Sequence, residues 1–338
     1  MSTPTARPKA TTAQKALLLG MIFIALMIPP AFLTMVGQAG VSFTWVYGGI
    51  VALIASFYSA RLSIELSAIV GIAGVIAILT EPWPLAGAIV ITLLTAGAAL
   101  ASRRGLHNAA LLVPIVISLV ITAPPTITGV DSSLVIAIVT GVSLCASGLW
   151  VTLAVRLVLG SGAPRLPRSE HSLTASITYA AVMAVVVGTA AYIVLALYPI
   201  DRGGWLILAL IVTLQPSSAD TIAKALQRLG GTVIGLAVTL VVALVDLPPW
   251  TNLLITSVLL YLALASRFVL PQPYWVYVTL LTPAVLLMNT QAADAFDLAS
   301  KRLELTAVAA LVAIVVALIG KAVVLYLHRA HPTAQIAD

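Results

Sequence analysis

The sequence predicts an all-α, polytopic membrane bundle of about twelve spans, and three observations carry that reading. Hydrophobic residues make up 61% of the 338-residue chain, charged residues only 8%, and mean hydropathy is +1.13, whereas about a quarter of the residues in a soluble domain are charged. Apolar runs of roughly 16 to 26 residues recur along the whole length, and each is able to cross a hydrocarbon core about 30 Å thick at a rise of 1.5 Å per residue. The runs are continuous in Leu, Val, Ile and Ala, without the two-residue alternation of a strand facing lipid on one side, which excludes a transmembrane barrel.

Hydropathy places the spans near residues 16–36, 44–59, 63–79, 84–101, 108–123, 133–158, 172–198, 203–215, 229–245, 251–266, 273–289 and 303–327. With a cytoplasmic amino terminus, that map puts about fourteen of the 17 basic residues on the inner side and leaves Arg202, Lys301 and Arg302 opposite. The expected location is therefore the plasma membrane with both termini cytoplasmic. The net charge of +6 and pI near 9.6 follow from this bias and call for no nucleic-acid partner. Arg7, Lys9 and Lys15 before an apolar run also resemble a secretory signal, but a retained first span is favoured, with Pro29-Pro30 as a kink or early end of that helix. The single cysteine, Cys145, falls inside a span and reads as packing.

An internal duplication is expected. LASR at 100–103 returns at 264–267, IVGIA at 69–73 aligns with VIGLA at 233–237 under the same shift, and Pro82-Trp83 matches Pro249-Trp250. The domain reading is a diverged six-span repeat over 1–159, a Pro- and Arg-bearing cytoplasmic linker over 160–170, and a second six-span repeat over 171–330. An even number of spans makes the repeats parallel, and substrate sites in such proteins commonly lie between them.

The stretch QPSSADTIAKALQRLGGTVIG, residues 215–235, is the chemical outlier, because it sets polar and charged side chains beside spans that carry almost none. Arg or Asp at the centre of a spanning helix costs roughly 2.5 to 3.5 kcal/mol on insertion scales, so the segment is either a cytoplasmic elbow or part of a substrate path. Asp220, Lys224 and Arg228 recur at four-residue spacing, Thr232 follows Arg228 by one turn, and Gly231 and Gly235 permit close approach of a backbone or ligand. Two readings stand: an anion cradle, or a small-residue packing face with Arg228 snorkelling to headgroups.

Residues 205–235, WLILALIVTLQPSSADTIAKALQRLGGTVIG, resemble the signature of the fusaric-acid-resistance-like (FUSC) family, related to the aromatic acid exporters. Trp205, Gln215, Pro216, Arg228, Gly231, Thr232 and Gly235 stand at the positions of that pattern. FDLASKRLELTAVAALVAIVVAL, residues 296–318, is similar to the family's second Arg-bearing stretch. There Arg302 and Thr306 repeat the Arg228–Thr232 spacing, while Leu305 and Ala309 replace the glycines. The resemblance covers about 170–327. It implies proton-driven export of small, often aromatic, organic acids or toxic compounds, and kinship with plant anion channels whose basic pore lies between two six-span units.

The candidate substrate-binding residues are therefore Arg228, Thr232, Gly231, Gly235, Lys224, Gln215, Arg61 and Arg302, since a guanidinium grips a carboxylate through two parallel hydrogen bonds. Tyr47, Tyr58, Trp205, Tyr274 and Trp275 either stack on an aromatic substrate or form interfacial belts. Candidate proton carriers are Asp220, Glu65 and Glu304; Asp246 reads as a loop residue. If no acid titrates in the path, a channel or passive exporter is expected instead. No HExxH, Walker loop or nucleophile elbow occurs, so neither an enzyme, a metal site nor a cofactor is expected, and a non-transporting scaffold is the remaining class. The expected partners are the lipid bilayer and a small organic anion, with homo-oligomerisation left open.

Overall fold

The computed structural model describes residues 11–160, 166–197, 203–245, 249–270, 272–287 and 295–330. Among these residues the chain is helical, with no strand: α1 (Thr12–Met35), α2 (Ala39–Ser56), α3 (Ala60–Thr80), α4 (Pro84–Leu100), a short α5 (His107–Ala110), α6 (Leu112–Thr122), α7 (Ser133–Leu159), α8 (Leu173–Tyr192), α9 (Gly204–Thr213), α10 (Ser218–Ala243), α11 (Pro249–Phe268), α12 (Tyr274–Leu287) and α13 (Ala295–Ala330). Eight helices are long and apolar enough to cross a membrane; the apolar helices His107–Thr122, Gly204–Thr213, Leu254–Phe268 and Tyr274–Leu287 are shorter. A multi-pass membrane protein follows from these lengths.

Local sequence sets the helix ends. Hydroxyl caps start four helices, with Thr11 accepting from Gln14 N, Ser59 from Leu62 N, Ser172 from Ala175 N and Ser217 from Asp220 N. Gly160, with φ at 58°, closes α7. Pro29 and Pro30 do not end α1, which runs on to Met35. Pro29 instead leaves the Ala25 carbonyl without its usual amide partner, and Trp150 Nε1 donates to that oxygen at 2.8 Å, while the Pro30 carbonyl accepts the hydroxyls of Thr34 and Ser42, both at 2.9 Å.

Two helices begin two turns or more before hydropathy places them. α10 is one continuous helix from Ser218, so the polar stretch of residues 218–228 is helical and not an elbow before the span. α13 starts at Ala295. In both cases charged side chains lie on the first turns of a long helix, where a hydropathy average falls although the backbone is already helical.

Helices α2 and α3 pack on α7, and α10 packs on α12 and α13, with α9 also on α13. Contacts of α4 with α8, α6 with α9 and α1 with α11 join these groups. One end of the bundle gathers the connection between α7 and α8: Leu166 N donates to Phe57 O, His171 N to Ser102 O, and Phe57 stacks on Phe268. The opposite end holds the α1–α2 and α6–α7 turns, tied where the Thr128 hydroxyl donates to Gly37 O at 2.9 Å. These are called below the connection end and the far end.

Candidate functional site

Arg228 lies ten residues into α10 and is 4% exposed. It does not snorkel to a surface. Its Nη1 donates to the Tyr274 hydroxyl of α12 at 2.9 Å, while its Nε has no hydrogen-bond partner. Arg302, on α13, is equally buried; its guanidinium carbon sits 4.7 Å from the centre of the Trp205 ring, and its Nε is also unpartnered. Arg228, Tyr274 and Tyr47 all lie within electrostatic reach of Arg302.

No buried carboxylate balances them. Among the described residues every buried charged side chain is an arginine, and the ion pairs are Arg61–Glu65 at 2.8 Å and Lys301–Asp297 at 3.1 Å, both exposed pairs within single helices. An ion withdrawn from water loses several kcal/mol of solvation, which only a partner or a guest charge offsets. A desolvated cation–π contact contributes about 2 kcal/mol or somewhat more, which offsets only part of that loss.

Arg302 forms part of the wall of a cavity of about 420 Å³ between α2 and α6 on one side and α9, α12 and α13 on the other. Phe43, Thr44, Tyr47 and Trp205 line it, and Pro124, Pro125 and Thr126 stand at its far-end rim. Gly40 is required there, because a Cβ would meet Thr126 O and N. The lining thus combines flat apolar faces with one buried guanidinium, the composition expected of a small-molecule site.

Toward the connection end the column continues in Tyr274, Tyr277 and Lys224. Lys224 Nζ donates to Gln215 Oε1 at 2.8 Å and stands 5.8 Å from the Tyr274 ring centre; Tyr274 and Tyr277 stack at 6.0 Å. Gln215 is itself held by its amide donating to Val212 O and Leu214 O. At this end exposed Arg267 acts electrostatically on Lys224, and both it and exposed Arg168 act on Tyr58, whose phenol is pushed up by burial against the opposing hydrogen bond to Asn108 and those two charges.

The structure therefore brings together Arg228, Arg302, Lys224 and Gln215, the first two around Tyr274. Thr232 is buried one turn beyond Arg228. Gly231 and Gly235 lie instead on the α10–α12 seam: a Cβ at Gly231 would stand 2.6 Å from Trp275 O, and one at Gly235 2.8 Å from Thr279 O. Packing is what these two glycines serve here. Arg61 and Glu65 pair with each other on an exposed face of α3, which packs on α2, α4, α6 and α7, away from the cluster. Asp220 and Glu304 are exposed, and Lys301 pairs with Asp297 and not with Glu304. Asp246 and Arg202 lie outside the described residues. Trp275 is exposed, as a belt residue is, whereas Tyr47, Trp205 and Tyr274 face the interior column.

Arg267 and Tyr277 were not singled out from the sequence as site residues. The signal for them was weak: one ends a span as any positive-inside residue does, and the other is one of several tyrosines near a helix start.

Residues 189–316 match the family model described as fusaric acid resistance protein-like. That segment includes α9 to α12 and the part of α13 that carries Arg302. A comparison with curated proteins found no match, and neither did one with solved structures. The matched segment is less than half of the chain; the apolar helices mark a multi-pass membrane protein, and the match falls on the part of it that carries Arg228 and Arg302.

Proposed function

We propose that the chain exports small organic anions, aromatic acids foremost, across the plasma membrane, through a column of cations and rings between two parallel six-helix repeats. On this reading repeat one is residues 1–159 and repeat two 171–330, joined by the 160–170 linker, and four shorter apolar helices join the eight long ones in a twelve-span count. The contact pattern supports duplication, since α3 on α7 corresponds to α10 on α13, α2 on α7 to α9 on α13, and α4 on α8 to α11 on α1. Both termini and the connection end face the cytoplasm, where Lys224, Arg267 and Arg168 concentrate anions at the inner mouth.

The observation that carries the proposal is the pair of buried arginines with unpartnered Nε atoms and no buried carboxylate among the described residues. A carboxylate supplies the missing charge and accepts from the guanidinium. The rings of Phe43, Tyr47 and Trp205 around a 420 Å³ space suit a planar apolar body. Since Asp220, Glu65 and Glu304 are all exposed, they lend proton exchange little support. Conduction down the anion's own gradient is the second reading, and uphill flux driven by a pH gradient decides between them.

The test is benzoate flux in proteoliposomes. Arg302→Ala is expected to lower it at least about tenfold, the equivalent of one charge-assisted contact of roughly 1.4 kcal/mol. Flux equal to the wild type in a correctly inserted variant removes the column from the mechanism.

A further inference from the structure

A second polar cluster lies at the connection end, outside the column. His107 opens α5 directly after the turn at Gly105, and although it is only 3% exposed its Nδ1 has no hydrogen-bond partner. Half-buried His171, from the connection between α7 and α8, meets it edge-on with ring centres 5.9 Å apart. Tyr179 of α8 packs on its other side at 6.3 Å, and the Tyr179 hydroxyl donates to Leu214 O, the residue before Gln215. Lys224, which Gln215 holds, acts electrostatically on His107. A buried imidazole is thus placed between the segment that joins the two halves and the first cation of the column.

The joint is tightly built. His171 N donates to Ser102 O at 3.2 Å, and the Ser102 hydroxyl donates to Ser176 at 3.0 Å. Gly105, at φ 65°, lies so close to the connection that a Cβ would stand 2.7 Å from Arg168 Cβ and 2.8 Å from Ser169 N. α5 packs on α2, α4, α6 and the 101–104 turn; α4 and α6 carry no titratable side chain, and α2 leads into Tyr58, bonded to Asn108. Against the His107 ring itself stand Tyr179 of α8 and His171 of the connection, with Lys224 of α10 acting on it electrostatically. Arg103, Arg104, Arg168 and Glu170 are exposed on the neighbouring segments. Among the described residues no carboxylate acts on the ring, so a proton gained there meets only cations and dipoles.

We propose that His107, reached from solvent through His171, is a proton-binding site that loosens the joint between the two halves and opens the inner mouth when the cytoplasmic face acidifies. Protonation puts a second charge in a buried space beside Lys224, where like charges at short range repel and the half-buried His171 is the element free to move. The same added charge draws an anion toward Lys224. The site uses none of the acids expected from the sequence, and it rests on the anion-transport reading only for its output.

Two measurements test it separately from that reading. Benzenesulfonate stays an anion at every pH used, so its flux in proteoliposomes is compared at equal internal and external pH, at 7.5 and at 5.5. Wild-type flux is expected to rise about fivefold at the lower pH, a coupling of ordinary size, and His107→Gln to flatten the rise; a flat wild type, or a rise that persists in His107→Gln, overturns the proposal. Hydrogen exchange of residues 101–107 and 166–176, corrected for the intrinsic pH dependence, needs no transport. It is expected to quicken at pH 5.5 in the wild type and in neither His107→Gln nor His171→Gln. If wild-type flux is absent at both pH values the transport reading fails, and the exchange result alone decides the site: quickening supports it and its absence overturns it.

Discussion

The α2–α3–α7 group and the α9–α10–α13 group use the same kind of helices for different ends. In the first, small residues bring backbones together: a Cβ at Gly71 would stand 2.8 Å from Cys145 Cβ, and one at Gly141 2.7 Å from Gly71 O. Most hydroxyls there satisfy one another, with Thr44 bonded to Ser143 at 3.0 Å and Ser63 to Thr152 at 2.6 Å, and the exceptions, the Thr140 hydroxyl and Trp45 Nε1, are uncharged. In the second group, Arg228 and Arg302 are as buried as those hydroxyls, yet each keeps an Nε unpartnered. A hydroxyl that donates to its own helix closes a seam at little cost. A guanidinium with no acid beside it leaves a charge to be met from outside, so the α3–α7 seam of the first group reads as the sealed wall, and the second group, facing the cavity together with Thr44 and Tyr47 of α2, as the lined one.

The largest expected effect sharpens that contrast. Replacing both Arg228 and Arg302 by Ala removes every buried charge from the described column and is expected to abolish benzoate flux while the protein inserts and purifies as before. Either single Ala replacement leaves one cation and loses about tenfold or more. Lys at either site, keeping charge but not the planar fork, falls between. Loss of insertion in the double variant, with flux preserved in both single ones, would make the arginines structural.

In the first group the effect moves from transport to stability. Gly141→Leu forces a branched side chain against Val75 and the Gly71 carbonyl, an overpacking that costs roughly 1 to 3 kcal/mol. It is expected to lower the yield of monodisperse protein and the thermal midpoint in detergent, and normal values for both would show that the α3–α7 seam is looser than its geometry. An intermediate case is Tyr274→Phe, which removes the hydroxyl accepting from Arg228 but keeps the ring beside Lys224. It frees Arg228 for a guest, so half-saturation for benzoate is expected to fall by about threefold, a fraction of one neutral hydrogen bond, with little change in the thermal midpoint. A tenfold rise would instead make Tyr274 part of the binding surface.

Most helix limits were legible because hydropathy and helix length agree: residues 84–101 were expected and Pro84–Leu100 is found, and 133–158 was expected where α7 is Ser133–Leu159. The start of α10 was not, because Thr221, Ala225, Arg228 and Thr232 keep one face buried while Asp220 and Lys224 lower the average over the same turns. Spacing along one helix identified Arg228 and Lys224, and similarity to a family added Arg302. What spacing could not supply was partner identity. Tyr274 lies 46 positions from Arg228, and Trp205 meets Arg302 from another helix. The same limit explains Arg61, whose charge and position suggested a mouth residue until its exposure and its pairing with Glu65 placed it on an outer face.

The smallest expected effect is the most exacting for the comparison. Ser63 sits at the centre of the first group's hydroxyl network: it donates to Ala52 O at 2.9 Å, meets Thr152 at 2.6 Å and accepts from Ser56 at 3.1 Å. Thr152 is not stranded by its loss, since it also donates to Gly148 O at 2.7 Å, whereas the Ser56 hydroxyl loses the acceptor it has in Ser63. Ser63→Ala is therefore expected to cost about 1 kcal/mol of stability, an interhelical hydrogen bond in a membrane with one hydroxyl left to find another acceptor. A double-mutant cycle with Thr152→Val should return a coupling in the same range, and benzoate flux per inserted molecule should equal that of the wild type. Flux lost without any loss of stability would place this seam on the anion's route, and the distinction between a sealed wall and a lined one would fall with it.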